Sequence, residues 1–421
     1  MAKTILIIGT LDSKAKELAY LHKRIAAEDV QPLLMDVSCK SEPSEFSADI
    51  SCQTVAKAGG RDFAEITRLD KVSAVNLMTQ GAINIAQKMF DEKRFDAVIG
   101  LGGANGAEIS CDVMRVLPIG FPKLMVTCVA SGNVRPYVGT KDIMMANSIG
   151  DISLNRITKR VINNAARAIA HMAVDERTED EEVKPQICMS TFGTTFPCVE
   201  RAKRLLEEKG FEVIELHASG TGGMALEELV LSGEVNGVLD ITTSELVDDL
   251  IDGEYSAGPK RLEAAASMGV PQVISLGALD FGNFGPKETV PAAYRDRNFY
   301  FYAPSITLMR TNVAENEILG KRIAAKANAS TGPTAIIIPR KGFSALDRAG
   351  GIKMTRIDGT VAGEWHDEAA NNALIESIKT HLDTGKVQCV EMAAHINDPD
   401  FAQKAVDLLI SMLKKCSKKS D

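Results

Sequence analysis

Gly102, Gly103, Asn105 and Gly106, in the run LGGANG (101–106), combine three residues that lack a Cβ with one short amide side chain. Glycines let a bound group approach the backbone. A strand-to-helix turn also aims N–H groups and the positive end of a helix dipole at one spot, which is the chemistry of anion binding. Asn105 is a residue type that tolerates a left-handed backbone. A second run, Gly9-Thr10-Leu11-Asp12-Ser13-Lys14, sets a carboxylate, a hydroxyl and an ammonium at consecutive positions. Lys14 can neutralise phosphate, Asp12 can hold Mg²⁺ through oxygen, and Ser13 can cap a helix or touch phosphate. Ser131 and Gly132 close a third small polar turn and join the candidate anion ligands. Each run also admits a plainer account, a tight turn after a buried strand or a helix cap beside a solvated lysine. Neither glycine run is a Walker A loop, which needs GxxxxGK[ST], and neither matches the dinucleotide fingerprint.

The second half holds four more polar turns. Gly193, Thr194 and Thr195 precede Pro197 at a helix start. Gly220, Thr221, Gly222 and Gly223 follow a strand ending in His217. Asp240, Thr242 and Thr243 lie in a run of carboxylates and hydroxyls that continues to Glu245, and Gly277–Asp280 ends a further strand. So many polar turns on one sheet edge point to a second ligand site, whose ligand the sequence does not specify. Single residues add weaker candidates. Cys198, next to Pro197 at a helix N-terminus, is a candidate nucleophile without a visible base. His217 and His395 are candidate acid–base groups or hydrogen-bonded structural histidines. Arg310 can pair with a ligand phosphate or with a carboxylate across the domains, and Trp365 can serve as a lid, an interface anchor or a loop plug.

These turns need strands and helices to hold them. Apolar runs at 4–8, 32–37, 95–101 and 123–128 read as strands of the first half, and 63–90 reads as one long helix. In the second half strands are expected at 186–191, 211–216, 237–241, 271–276 and 334–338, each followed by a helix. Strand and helix alternate about every 30 residues, which predicts an α/β fold with two Rossmann-like domains and mainly parallel, doubly wound sheets. The acidic run DERTEDEEVKP (175–185) is the expected linker between domains at 1–180 and 185–421, and the tail 414–421 reads as frayed. The 421 residues carry a formal net charge of −8, which excludes a nucleic-acid backbone or an anionic membrane as the main partner. No apolar run approaches the roughly 20 residues of a membrane span. The eight scattered cysteines form no CxxC pair and no secretory leader precedes them, so a reduced, cytoplasmic chain is expected. The six histidines show no zinc-ligand spacing.

A family resemblance rests on ordered blocks. GTLDSKAKE (9–17), LGGANG (101–106), KLMVTCVASG (123–132) and YVGTKDIMM (137–145) are followed by FGTTFPCV (192–199), HASGTGGMALEEL (217–229) and VLDITTSELVDDL (238–250). GALDFGNFG (277–285), TLMRT (307–311) and HIND (395–398) complete the set. These blocks resemble, in the same order and over nearly the whole chain, the ATP-binding domain family named for a plant tobamovirus-resistance protein. The resemblance implies two Rossmann-like domains, ATP with Mg²⁺ on Gly9–Lys14 and Gly102–Gly106, and a homo-oligomer, dimer or higher. Some relatives carry a TIM-barrel domain resembling phosphoenolpyruvate-hydrolase enzymes, or work beside one, so a separate enzyme of that kind is an expected partner. The sequence departs from the family at Ala15, Ala104 and Asn105, where a glycine, a serine and a glycine are usual, and at Gly351–Gly363, which looks like an extra loop. The resulting expectation is an ATP-binding cytoplasmic protein that acts on or senses a small acidic metabolite in the interdomain cleft. The alternative is a nucleotide-gated protein-interaction module with no catalysis of its own.

Overall fold

Alternation along each strand sends successive side chains to opposite faces, and here both faces are apolar. In the first strand Leu6 and Ile8 join one core cluster while Ile5 and Ile7 join the other. Such a sheet needs helices on both sides. The computed structural model describes residues 2–42, 46–174 and 184–417 and divides into two compact units, Met1–Glu181 and Glu182–Asp421. Most of the expected acidic linker (175–183) and the end of the tail (418–421) lie outside the described residues.

The first unit runs β1 (Thr4–Gly9), α1 (Leu11–Ala26), β2 (Gln31–Asp36), α2 (Cys52–Ala58), α3 (Phe63–Ile66), α4 (Lys71–Asp91) and β3 (Ala97–Leu101). It continues with α5 (Ala104–Arg115), β4 (Lys123–Thr127), α6 (Arg135–Val138), β5 (Met144–Asn147) and α7 (Arg156–Val174). All five strands are parallel in the order β2-β1-β3-β4-β5. The helices α1 and α7 cover one face, with Leu18, Leu21, Ile162 and Ile169. The other face lies under α2, α4 and α5, with Val55, Met78 and Ile109. The long helix expected over 63–90 is two helices. Asp70 interrupts it, accepting from the amides of Val72 (3.0 Å) and Ser73 (3.1 Å), so that it caps α4 as an independent helix.

The second unit runs β6 (Gln186–Thr191), α8 (Phe196–Glu207), β7 (Glu212–His217), α9 (Thr221–Leu231), β8 (Val235–Thr242), α10 (Glu245–Ile251), α11 (Ala264–Met268) and β9 (Gln272–Gly277). Then follow β10 (Phe281–Phe284), β11 (Phe299–Ala303), β12 (Ile306–Arg310), α12 (Val313–Asn328), β13 (Thr334–Pro339), β14 (Lys353–Thr355), β15 (Val361–Glu364), α13 (Glu368–His381), β16 (Val387–Met392) and α14 (Pro399–Ser417). Six strands form a parallel sheet, β16-β13-β9-β8-β6-β7. Numbered from β6, its order begins as in the first unit: second strand, first, third, fourth, fifth.

A third sheet, β10-β12-β11-β14-β15, is antiparallel and was not foreseen. It absorbs the apparent extra loop: residues 353–355 and 361–364 are the two strands of a hairpin that pairs at its edge. Trp365 is neither lid nor surface plug. It is fully buried with Phe281 and Leu308, and its indole Nε1 donates to Asp280 Oδ2 at 2.8 Å.

Candidate functional site

In a parallel sheet of order 2-1-3-4-5 the chain leaves β1 toward one edge and β3 toward the other. The loops that follow them therefore part and open a crevice at the carboxyl ends of the strands. The two glycine runs are the loops after β1 and β3. The fold brings Thr10, Asp12, Ser13 and Lys14 together with Gly103, Asn105 and Gly106 around one cavity of about 570 Å³. Gly9 and Gly102 do not line it and answer to packing instead: a Cβ on Gly9 would stand 2.6 Å from Leu18, and one on Gly102 would stand 2.8 Å from Gly106. A Cβ on Gly103 would meet nothing within 4 Å. Ser131 and Gly132 lie one strand further along, exposed, and are not among the residues that line the cavity. The Ser131 hydroxyl donates to the carbonyl of Cys128 at 2.9 Å.

The two helix starts differ in what they offer. At α1 the amides are occupied. Leu11 N donates to Asp36 Oδ1 (3.0 Å), Asp12 N to Ser38 Oγ (2.9 Å), and Ser13 and Lys14 both to the carbonyl of Thr10. At α5 the first helical bond runs from Ala107 N to the Gly103 carbonyl (2.8 Å), no side chain caps the helix, and the amides of Ala104, Asn105 and Gly106 have no acceptor among the described residues. The exposed donors an anion needs are therefore those of α5. Asn105 does not take the left-handed backbone considered for it. It sits in the first turn of α5, because the helix begins inside the motif, at Ala104.

Charge around the cavity is mostly positive. Lys14, Lys40 and Lys71 line it, against the single carboxylate of Asp12. Lys14 is less available than expected: its ammonium donates to the carbonyl of Ile152 and stands 3.6 Å from Asp151, so it ties α1 to the loop before α7. Asp12 Oδ2 accepts from Lys40 N at 3.1 Å. Among the described residues no three His, Cys, Asp or Glu side chains are grouped for a metal ion. Asp12 therefore offers one carboxylate and no cage. Cys39 also lines the cavity as a neutral thiol, its pKa pushed up to about 11 by burial and then by the nearby Asp12.

In the second unit the residues expected to hold a ligand find partners within the protein. The carboxylate of Glu245 accepts from the amides of Gly220 (2.8 Å) and Gly223 (2.9 Å) through Oε1, so an internal anion occupies the start of α9. Thr221 and Gly222 belong to the same first turn, where a Cβ on Gly222 would stand 1.9 Å from the His217 carbonyl. Asp240 is bound end-on by the fully buried Arg261, at 2.6 and 2.7 Å, while Arg261 Nε donates to Glu245 at 2.6 Å. The Thr195 and Thr242 hydroxyls pair with each other at 2.7 Å, and the Thr243 hydroxyl donates to the Ser275 carbonyl at 2.9 Å. The crevice between β6 and β8 is thus closed by its own side chains. Gly193 stays exposed, and Thr194 Oγ1 is buried without a partner among the described residues.

The single-residue candidates are also settled by their surroundings. Cys198 is buried and its thiol is pushed up to about 12 by that burial, which rules out a ready nucleophile. The Arg310 guanidinium is saturated by the Trp365 carbonyl (3.0 Å), the Asp280 carbonyl (3.0 Å), Thr311 Oγ1 (2.8 Å) and Asn371 Oδ1 (2.7 Å), so it braces the third sheet. His217 is exposed and stacks on Phe192 with ring centroids 5.1 Å apart.

Comparison with known proteins adds a family. Residues 3–178 and 184–413 match the N-terminal and C-terminal domain models of the uncharacterised protein family UPF0261. The chain belongs to that family. A UPF0261 protein of Clostridium tetani is 40% identical over 99% of this chain and 100% of its own length. The ToMV resistance protein Tm-1(GCR237) of Solanum lycopersicum is 32% identical over 98% of this chain and 56% of its own length. Among solved structures, the UDP-N-acetylglucosamine 2-epimerase of Rickettsia bellii aligns over 99% of this chain and 98% of its own at 10% identity, with a TM-score of 0.23. No helix of the described residues is long and apolar enough to cross a membrane.

Sequence reasoning missed several groups that shape the first-unit cavity. Asp36, at the end of β2, is fully buried and orders two loops at once through Leu11 N, Ser38 N and the Ser38 hydroxyl. Burial raises its pKa while those hydrogen bonds oppose the rise. An acidic residue closing the second strand of a parallel unit was the available signal. Lys40, Ser41, Thr67 and Lys71 come from segments that carry no recognisable motif, and only the folded chain brings them to the cavity.

Proposed function

We propose that the first unit binds ATP, with the phosphates on the α5 amides and the Gly103 turn. The observation that carries this reading is the meeting of the β1 and β3 loops at the crevice, with three uncapped amides and three lysines around it. Backbone N–H groups at a helix start and nearby ammonium groups are what a polyphosphate requires. A cavity of about 570 Å³ falls within the roughly 300–1,000 Å³ of small-molecule sites. The family resemblance supports a nucleotide in particular. Magnesium fits as an ion held mainly by the phosphates, with Asp12 supplying one oxygen and the Thr10 and Ser13 hydroxyls at hand. When bound, that ion would neutralise phosphate charge.

Calorimetric titration of ATP, with and without Mg²⁺, into the wild type and Gly103→Val tests the reading. A Cβ at Gly103 meets nothing within 4 Å, so folding is expected to survive while the added bulk at the turn abolishes binding. Equal affinity in both proteins rejects the site. Parallel titrations with GTP and inorganic tripolyphosphate show whether the base contributes.

A further inference from the structure

Past β13 the chain runs through Arg340 and Lys341, and past β16 through His395 to Asp398. With Arg348 and the start of α13 these residues enclose a second cavity, about 520 Å³, in the second unit and apart from every turn discussed above. Its cations are not equivalent. Arg340 is held by Glu391 at 3.2 Å. Arg348 and Lys341 have no carboxylate partner within 4 Å among the described residues, and both are exposed. Two carboxylates also line the space. Asp398 is occupied as the acceptor of His395 N at 2.8 Å, and Glu368 lies exposed at the first position of α13.

The two histidines of the cavity have different roles, fixed by their hydrogen bonds. His395 is buried, and its Nε2 donates to the Ser344 carbonyl at 2.9 Å. Its Nδ1 is therefore an acceptor, taking Asn397 N and the Arg348 guanidinium, each at 3.1 Å. Burial and then the charge of Arg348 hold its pKa below the ordinary value, so it stays neutral and positions Arg348. His366 is turned the other way. Its Nδ1 bonds Asp347 Oδ1 at 2.7 Å, and Asp347 is itself fully buried, with Oδ2 accepting from Phe343 N (2.9 Å) and Asn371 Nδ2 (2.8 Å). Asn371 is anchored in turn by Arg310. A carboxylate so fixed holds the imidazole as the Nδ1–H tautomer. Nε2 is left without a partner among the described residues, on a side chain that lines the cavity.

We infer that this cavity binds a small molecule bearing a phosphate or a carboxylate. Arg348 and Lys341 hold the anion, and the Asp347–His366 pair presents the ring's Nε2 to the ligand. The site is independent of the nucleotide reading of the first unit.

The test uses the full chain labelled at histidine Cε1, with the His366 resonance assigned through His366→Gln. It is titrated at constant ionic strength with inorganic phosphate, with malonate and with chloride, in the Gly103→Val background so that the first-unit cavity does not compete. A saturable shift of the His366 signal with phosphate or malonate, absent with chloride, supports the site, and the probe that saturates first identifies the anion. Lys341→Ala, whose side chain is exposed, should weaken that binding about tenfold, the loss expected for one charge-assisted contact. Asp347→Asn should change the His366 signal in the absence of any anion. No saturable shift, the same shift with chloride, or equal affinity in Lys341→Ala would overturn the proposal.

Discussion

The amide of Gly223 meets the carboxylate of Glu245 at 2.9 Å, where an external anion would otherwise sit. The same oxygen takes Gly220 N, and the other takes Arg261 Nε. A Cβ on Gly223 would stand 2.1 Å from that carboxylate, so the glycine serves close packing against Glu245. Gly103, in the first unit, faces open space from a turn of similar composition. Glycine content marks where a backbone can be approached, and the neighbouring residues decide whether the visitor is a ligand or a side chain of the protein.

Glu245→Gln leaves the fully buried Arg261 with Asp240 and Glu227 and weakens the anion at the start of α9. Buried charge-assisted bonds are worth about 1.5–3 kcal/mol each, so unfolding stability should fall by about 2–3 kcal/mol. Denaturant titration followed by circular dichroism measures this. ATP affinity, proposed for the other unit, should not move. An unchanged midpoint would show that the carboxylate charge does not hold this turn.

Gly102→Ala and Gly103→Ala separate packing from access within one motif. The new Cβ at 102 would press on Gly106 Cα at 2.8 Å, backbone against backbone, and should cost about 1–3 kcal/mol. The one at 103 meets nothing and should stay within about 0.5 kcal/mol of the wild type. Thermal melts of the two variants check the contrast, and equal melting points would contradict it.

The lysines should divide in the same manner. Lys71 opens α4 at the rim of the cavity and is exposed, so Lys71→Ala should weaken ATP binding about five- to tenfold and leave stability unchanged. Lys14→Ala should lower both, because its ammonium also secures the loop before α7 through Ile152. Calorimetry paired with melting curves distinguishes them. A stability loss in Lys71→Ala would mean that its role is structural.

Nine of the eleven parallel strands were legible as short runs rich in apolar residues, and Gln186–Thr191 reads the same in sequence and structure, whereas β5 and β16, each at the edge of its sheet and only partly buried, were not foreseen. The pairing of Gly102–Gly106 with Thr10–Lys14 was legible too, since both runs end strands of one sheet. The antiparallel sheet was not. Its strands are three to five residues long, too short for alternation to stand out, and Arg310 and Trp365 looked like free chemistry until the hydrogen bonds that bury them were seen. Glu245 and Asp240 were likewise read as site residues because their partner, Arg261, lies in a stretch with no periodic pattern. Spacing shows which groups stand near a turn. It does not show which of them another part of the chain already holds.

Asp248 carries the clearest pH signature. It is fully buried, with Oδ1 accepting from Asn283 N (2.7 Å) and Oδ2 from Asn283 Nδ2 (2.8 Å). Burial moves its pKa from 3.8 to about 7 against the pull of those hydrogen bonds. Between these two values the folded chain keeps a proton that the unfolded chain releases. Its contribution to stability is therefore full below pH 3.8, falls as pH rises toward 7, and is constant above. Asp248→Asn removes the charge and can keep both contacts, because Asn283 Oδ1 is buried without a partner and a turned Asn283 amide would accept from the new one. The variant should gain on the wild type by about 1.4 kcal/mol for each pH unit climbed within that window, and by nothing further above it. Denaturant titrations of both proteins at pH 4.5, 6 and 8 (about) measure the difference directly. Parallel stability profiles, or a wild type that gains on the variant as pH rises, would show that Asp248 is ionised throughout and that its hydrogen bonds compensate its charge.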